Sequence, residues 1–129
     1  MDAIDTNVLV RYLIGDHPEQ LRKAHAAIRS RAIFVSITVL LESEWVLRSL
    51  YGQSILEICR GLRAFAGLPQ VTVENPALLA DALERTEAGM DFADALHLGA
   101  ASHCDTLLSF DRKFIRAAAG NATPVKEPD

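Results

Sequence analysis

Four acidic residues, Asp5, Glu42, Asp94 and Asp111, stand where an ordinary core has little use for a carboxylate. Asp5 directly follows a short apolar run, where it can cap the next helix or hold a ligand. Thr6 and Asn7 could supply that cap equally well, and spacing alone does not separate the two roles. Glu42 falls inside a helical stretch, on a face with Val39, Trp45 and Val46. A carboxylate on such a face is costly to desolvate unless it is paired or bound to a cation. Glu44, by contrast, sits four residues before Arg48, the favourable order for a surface ion pair. Asp91 and Asp94 share a face at the start of a nearly apolar helix. Asp91 is the better N-cap, favoured there by the helix dipole, and Asp94 the better ligand. Asp111 follows a strand and precedes Arg112-Lys113-Phe114, where it can cap the last helix, and Ser109 adds a polar group at the same strand end.

Acids from four separate segments suggest one convergent cluster. Carboxylates held together repel, and a divalent cation relieves the repulsion. Hard oxygen ligands favour Mg2+ or Mn2+. The chemistry that follows is metal-assisted phosphodiester hydrolysis, in which a carboxylate-bound metal activates water, orients the phosphate and stabilises the leaving oxygen.

The elements that must position these residues alternate between short apolar runs and longer helical patterns. Ala3-Ile4 leads into a helix over Val8 to Ile14, and a turn with Pro18 opens an amphipathic helix over Glu19 to Arg31. Ile33 to Ser36 reads as a buried strand, Thr38 to Leu50 as a helix, and Ser54 to Ala66 as another. Val71 to Val73 is a strand, and Asn75-Pro76 starts a helix running to about Ala88. Asp91 to His103 is a further helix, Thr106 to Ser109 a strand, Asp111 to about Gly120 a short helix, and Pro124 to Lys126 an edge strand. Strands alternating with helices predict an α/β fold whose parallel sheet is covered on both faces. In such sheets ligands gather beyond the carboxyl ends of the strands, where these acids fall.

The chain has 129 residues, which fits one compact domain, 1–129, with a core of its own. With 13 basic and 17 acidic residues the formal net charge is −4, which speaks against coating nucleic acid by bulk electrostatics. It leaves room for a site that concentrates carboxylates. Cys59 and Cys104 lie in helix-like apolar stretches outside any CxxC pair and read as reduced, buried thiols. With neither a leader-like start nor a long apolar run, the expected setting is the cytoplasm, without a membrane span.

These segments resemble the motifs of PIN domains. Ile4-Asp5-Thr6-Asn7 resembles the opening motif, and Ser36 followed by Glu42 the second. Asp91-Phe92-Ala93-Asp94-Ala95-Leu96 resembles the third, and Leu108-Ser109-Phe110-Asp111 the fourth. Order, spacing and length resemble the VapC-type toxins of bacterial toxin–antitoxin pairs. The resemblance implies a three-layer α/β/α PIN-like (Rossmann-like) domain with a parallel central sheet. It implies an endoribonuclease using Mg2+ or Mn2+, with Asp5, Glu42, Asp94 and Asp111 as the catalytic, metal-binding acids. Asn7, Ser109 and Asp91 would support them. It further implies an RNA substrate, with transfer RNA as the family-level expectation, a cognate antitoxin and a homodimer.

Other readings compete. A phosphatase using Asp5 as covalent nucleophile wants a second acid two residues on, where Asn7 stands. A PIN-fold interaction module, or an RNA-processing enzyme outside a toxin–antitoxin pair, is the remaining alternative, and the full set of acids argues against a decayed site. His17, His25, His97 and His103 lack zinc spacing. His97 is expected to pack within its helix and the other three to lie in solvent or turns. Arg11, Arg48, Arg112, Lys113 and Arg116 could each meet RNA phosphate or simply face water. Trp45 and Phe92 are expected in the core or at a dimer contact.

Overall fold

The computed structural model describes residues 1–129, which divide into two compact units, Met1–Pro76 and Ala77–Asp129. In the first, the order is β1 (Asp2–Ala3), α1 (Thr6–Ile14), α2 (Pro18–Ser30), β2 (Ile33–Val35), α3 (Ile37–Ser49), α4 (Ile55–Ala66) and β3 (Val71–Val73). The strands form a parallel sheet in the order β1-β2-β3, with Ala3 opposite Phe34 and Val35 opposite Val73. Parallel strands need long crossovers, and each crossover here is a helix pair. All three carboxyl ends therefore lie along one edge of the sheet.

Local chemistry sets the helix boundaries. α1 starts where the Asp5 side chain accepts from the Val8 N–H, and it stops at Gly15, whose φ of 77° is left-handed. The cap on α1 is thus Asp5 itself rather than Thr6 or Asn7. α3 starts at Ser36, whose Oγ accepts from Val39 N–H at 3.2 Å. α4 opens with a capping box in which Ser54 and Glu57 satisfy each other's backbone N–H groups.

The packing of α3 corrects the expectation for its acids. Its buried residues are Leu40, Ser43, Glu44 and Leu47, spaced as one helical face. Glu44, expected at the surface, is only 3% exposed and is held by Arg48 Nε at 2.8 Å. Glu42 is exposed instead, and Trp45 is 51% exposed, so that helix face is open and Trp45 is no core residue. The ring of His25 lies 4.3 Å from that of Tyr12, so this histidine is packed rather than solvated.

The second unit contains most of α5 (Pro76–Glu87), then α6 (Phe92–Ala100), β4 (Leu107–Leu108), α7 (Arg112–Ala117) and β5 (Val125–Lys126). β4 and β5 pair in parallel, with Leu107 opposite Val125. The helix α6 is shorter than the apolar pattern suggests. The Ala101 N–H turns back to the carbonyl of Leu98 as well as His97, tightening the last turn. The residues beyond it leave the helix, so Cys104 is exposed, whereas Cys59 is buried as expected. His97 is exposed rather than packed, and Phe92 is fully buried. Gly99 lies against α5: a Cβ placed there would come within 2.5 Å of a Leu78 methyl. The fold is α/β with parallel pairing throughout, consistent with a three-layer α/β/α arrangement, and no helix is long and apolar enough to cross a membrane.

Candidate active site

In the first unit the carboxyl edge of the sheet collects polar groups. β1 continues through Ile4, whose N–H donates to Phe34 O at 3.1 Å, and the chain then turns at Asp5. Asp5 Oδ1 accepts from Val8 N–H at 3.1 Å. The next residue, Thr6, donates its hydroxyl to Glu42 Oε1. That bond joins the start of α1 to the middle of α3 and sets Glu42 against the residue that follows Asp5. Asn7 is exposed on the first turn of α1. Glu74, just after β3, accepts from Ile37 N–H at 2.9 Å, so this third edge carboxylate serves the start of α3.

The second unit has its own group of acids. Ser109 extends β4 by donating its N–H to Lys126 O at 3.0 Å, and its Oγ accepts from Asp111 N–H at 3.0 Å. Asp111 Oδ1 accepts from Lys113 N–H at 3.0 Å and Phe114 N–H at 3.2 Å, capping α7. Asp91 Oδ2 accepts from Asp94 N–H at 3.2 Å, capping α6. Asp94 is half-buried and its carboxylate makes no hydrogen bond. Burial first, then the negative charges of Asp91 and Asp111, push its pKa above the usual aspartate range, with His97 opposing them.

A pattern runs through these residues. Asp5, Glu42, Asp91 and Asp111 each commit one carboxylate oxygen to hydrogen bonding, local for the three aspartates and long-range for Glu42, and leave the other without a protein partner. Asp94 leaves both. None of the five forms an ion pair. Capping and ligation are therefore not alternatives, because a carboxylate has two oxygens and four lone-pair positions. No group of three or more His, Cys, Asp or Glu stands ready-made around a metal position. Within each unit the unpartnered carboxylate oxygens are hard donors of the kind a divalent cation takes, and in the second the ionised form of Asp94 is disfavoured by burial first and by Asp91 and Asp111 second.

Of the cations considered from the sequence, Arg48 is taken up by Glu44. Lys113 lines a small cavity of about 20 Å³ with Asp91 and Asp94. Arg112, Arg116 and Lys126 line a cavity of about 460 Å³, and Arg112 lies 3.9 Å from Glu127. Arg11 lines a cavity of about 400 Å³ between α1 and α2. The residues missed from sequence are Thr6 and Glu74. Thr6 could have been noticed beside Asp5 as a hydroxyl free of the cap, but its partner lies 36 residues away and leaves no local signal.

Compared with known families, residues 3–120 match the model of the PIN domain. Among curated proteins no match is found. The matched span contains Asp5, Glu42, Asp91, Asp94 and Asp111. PIN domains have a nuclease-type fold, are generally hydrolases acting on RNA or DNA, and generally use divalent metals. With nearly its whole length matched, and its strand-end acids within the match, the chain belongs to the PIN-domain family.

Proposed function

We propose that this protein is an endoribonuclease dependent on Mg2+ or Mn2+, acting as the VapC-type toxin of a toxin–antitoxin pair, with residues 1–129 working as a single PIN-like domain. The observation that carries the reading is the set of unpaired carboxylate oxygens on Asp5, Asp94 and Asp111 at helix starts and on Glu42 within α3. Asp5, Glu42, Asp94 and Asp111 would hold the cation, and Asn7, Ser109 and Asp91 would support them. A bound divalent cation supplies the positive charge that activates water and offsets charge on the phosphate. The chain's own residues do the positioning. The caps at Asp5 and Asp111 fix those side chains through the backbone, and Thr6 fixes Glu42. Asp91 orders the first turn of α6 and, after burial and together with Asp111, disfavours an uncompensated charge on Asp94.

The toxin assignment rests on the order and spacing of the four motifs. It brings with it a cognate antitoxin, a homodimer and an RNA target, with transfer RNA as the first candidate. Exposed Trp45, Leu50 and Leu56, at 51%, 69% and 61%, offer apolar surface on α3 and α4 for self-association. Two cysteines outside any disulfide suit a reducing cytoplasm.

The test is incubation of the purified chain, freed of any partner, with total RNA and Mg2+ or Mn2+, with a chelator control and Asp5→Asn. Asparagine retains the capping oxygen, so this variant folds. Metal-dependent cutting that falls roughly a hundredfold or more in Asp5→Asn is expected, the scale of losing a transition-state charge partner. Cutting that survives both chelation and the substitution would sink the proposal. Growth arrest on expression, absent in Asp5→Asn, separates a toxin from an RNA-processing enzyme.

A further inference from the structure

The cavity between α1 and α2 has polar lining that offers chiefly hydrogen-bond donors. Arg11 is its centre. Arg11 Nε donates to Gln20 Oε1 at 2.7 Å, and Nη1 donates to Asp16 Oδ1 at 3.1 Å and Tyr51 Oη at 2.6 Å. Three of its five N–H groups are used, and the two on Nη2 have no protein acceptor. Because the Gln20 oxygen is occupied by Arg11, its amide NH2 is left to donate. Lys23 is only loosely paired, 3.9 Å from a Glu19 carboxylate that Arg22 holds at 2.7 Å. The wall is mostly apolar, from Val8, Ala24, Ala27 and the side-chain stems, and its charged residues are two cations, Arg11 and Lys23, with no acid among the lining. Such a lining suits a ligand that joins a negatively charged group that only accepts hydrogen bonds to a sizeable apolar surface. Phosphate on a nucleotide meets that description.

Position selects the strand. Asn7 lines the same cavity, two residues after Asp5, and Arg11 lies one turn further along the same face of α1. From Asp5 to Arg11 the helix rises about 9 Å, at about 1.5 Å per residue. A polynucleotide is a repeating anion, so a strand cut beside Asp5 carries further phosphates along α1. We propose that the α1–α2 cavity is a subsite for a phosphate of single-stranded RNA flanking the one that is cut, read by Arg11 and Lys23. The inference rests on the ribonuclease reading and deepens it. Its alternative occupant, an acidic segment of a partner protein, is decided by the same experiment.

The experiment measures anisotropy of a labelled single-stranded RNA of about 12 nucleotides with the full chain in chelator, across a salt series. Lys23→Gln and Arg11→Gln should each weaken binding roughly three- to tenfold and reduce the salt slope by about 0.7, the value for one lost phosphate contact on a single strand. Arg60→Gln, an equal charge loss on α4, should change neither. Arg11 also ties α1 to Tyr51, so its variant is checked for folding by circular dichroism. Lys23 is exposed and keeps the proposal open to refutation if Arg11→Gln unfolds. Cutting by the parent, together with unaltered binding and slope in Lys23→Gln, overturns the subsite and leaves the nuclease. Binding that depends on Lys23 in a protein that cuts no RNA with either metal overturns the nuclease and leaves the subsite. An oligoglutamate peptide that binds through Arg11 and Lys23 where RNA does not assigns the cavity to a protein partner and overturns the proposal.

Discussion

A single carboxylate can cap a helix with one oxygen and offer the other to a cation, and Asp94 shows what happens when neither oxygen is used. It is half-buried beside Asp91 and Asp111, and its pKa is raised by burial first and those charges second. Asp94→Asn should therefore cut no RNA yet melt higher than the parent in chelator. Relief of about 0.5 kcal/mol of like-charge repulsion corresponds to roughly 2 °C. The sign with pH follows from the direction of the shift. The ionised carboxylate costs stability in full above its raised folded pKa, and the cost vanishes below the unfolded value of 3.8. The difference in melting temperature between Asp94→Asn and the parent should accordingly shrink as pH falls through that window. A difference that grew on acidification would contradict this account. Thr6 makes a second prediction at this scale. Thr6→Val removes the hydroxyl that holds Glu42, at a stability cost of up to about 1 kcal/mol. Cutting should fall several-fold and be restored by Thr6→Ser, read in single-turnover assays.

At the scale of the element, the helix start is the working unit. α1, α6 and α7 each begin on an aspartate whose side chain accepts from backbone N–H groups. The N-terminal dipole favours that charge, and the cap orients it. Asp111→Asn should leave the melting temperature nearly unchanged and lose cutting, whereas Asp111→Ala should lose both, with about 1 kcal/mol of cap removed. Equal melting of the two variants would mean the cap is unimportant. Helix contacts supply a different test. A Cβ at Gly99 requires the Leu78 methyl to move aside, and the larger Gly99→Val should destabilise by about 1 kcal/mol or more through overpacking of α5 on α6. Urea unfolding measures it.

For the molecule as a whole, the formal net charge of −4 makes any attraction to nucleic acid a local matter rather than a bulk one. A cation bound only by the folded chain stabilises it by mass action, about 2.7 kcal/mol at a concentration a hundred times its dissociation constant. Mg2+ or Mn2+ should raise the melting temperature of the parent by several degrees and that of a combined Asp5→Asn, Asp94→Asn variant much less. An equal rise in both would place the ion elsewhere. Self-association is tested by sedimentation of Trp45→Glu, which should shift a dimer toward monomer if the exposed face of α3 is the contact.

Much of this was legible in the chain because its signals are local. Short β-branched runs, Ser, Asp and Pro at helix starts, and an acid after a strand depend on neighbours within a turn. They mark the α/β class, most element positions and the acids themselves without reference to the rest of the fold. The phase of α3 is different. Its residues are apolar almost all round, with Val39, Leu40, Leu41, Trp45, Val46 and Leu47 in one stretch, so periodicity cannot say which face is inside. Only tertiary packing decided that Glu44 is buried with Arg48 while Glu42 is open and held by Thr6. The same holds for Arg11, whose partner Tyr51 lies 40 residues away. The opening Asp5-Thr6-Asn7 was readable as a motif from sequence. The cap at Asp5 is a local bond, but that Thr6 bonds Glu42 and Asn7 lines a cavity depends on contacts that form only when distant segments pack together.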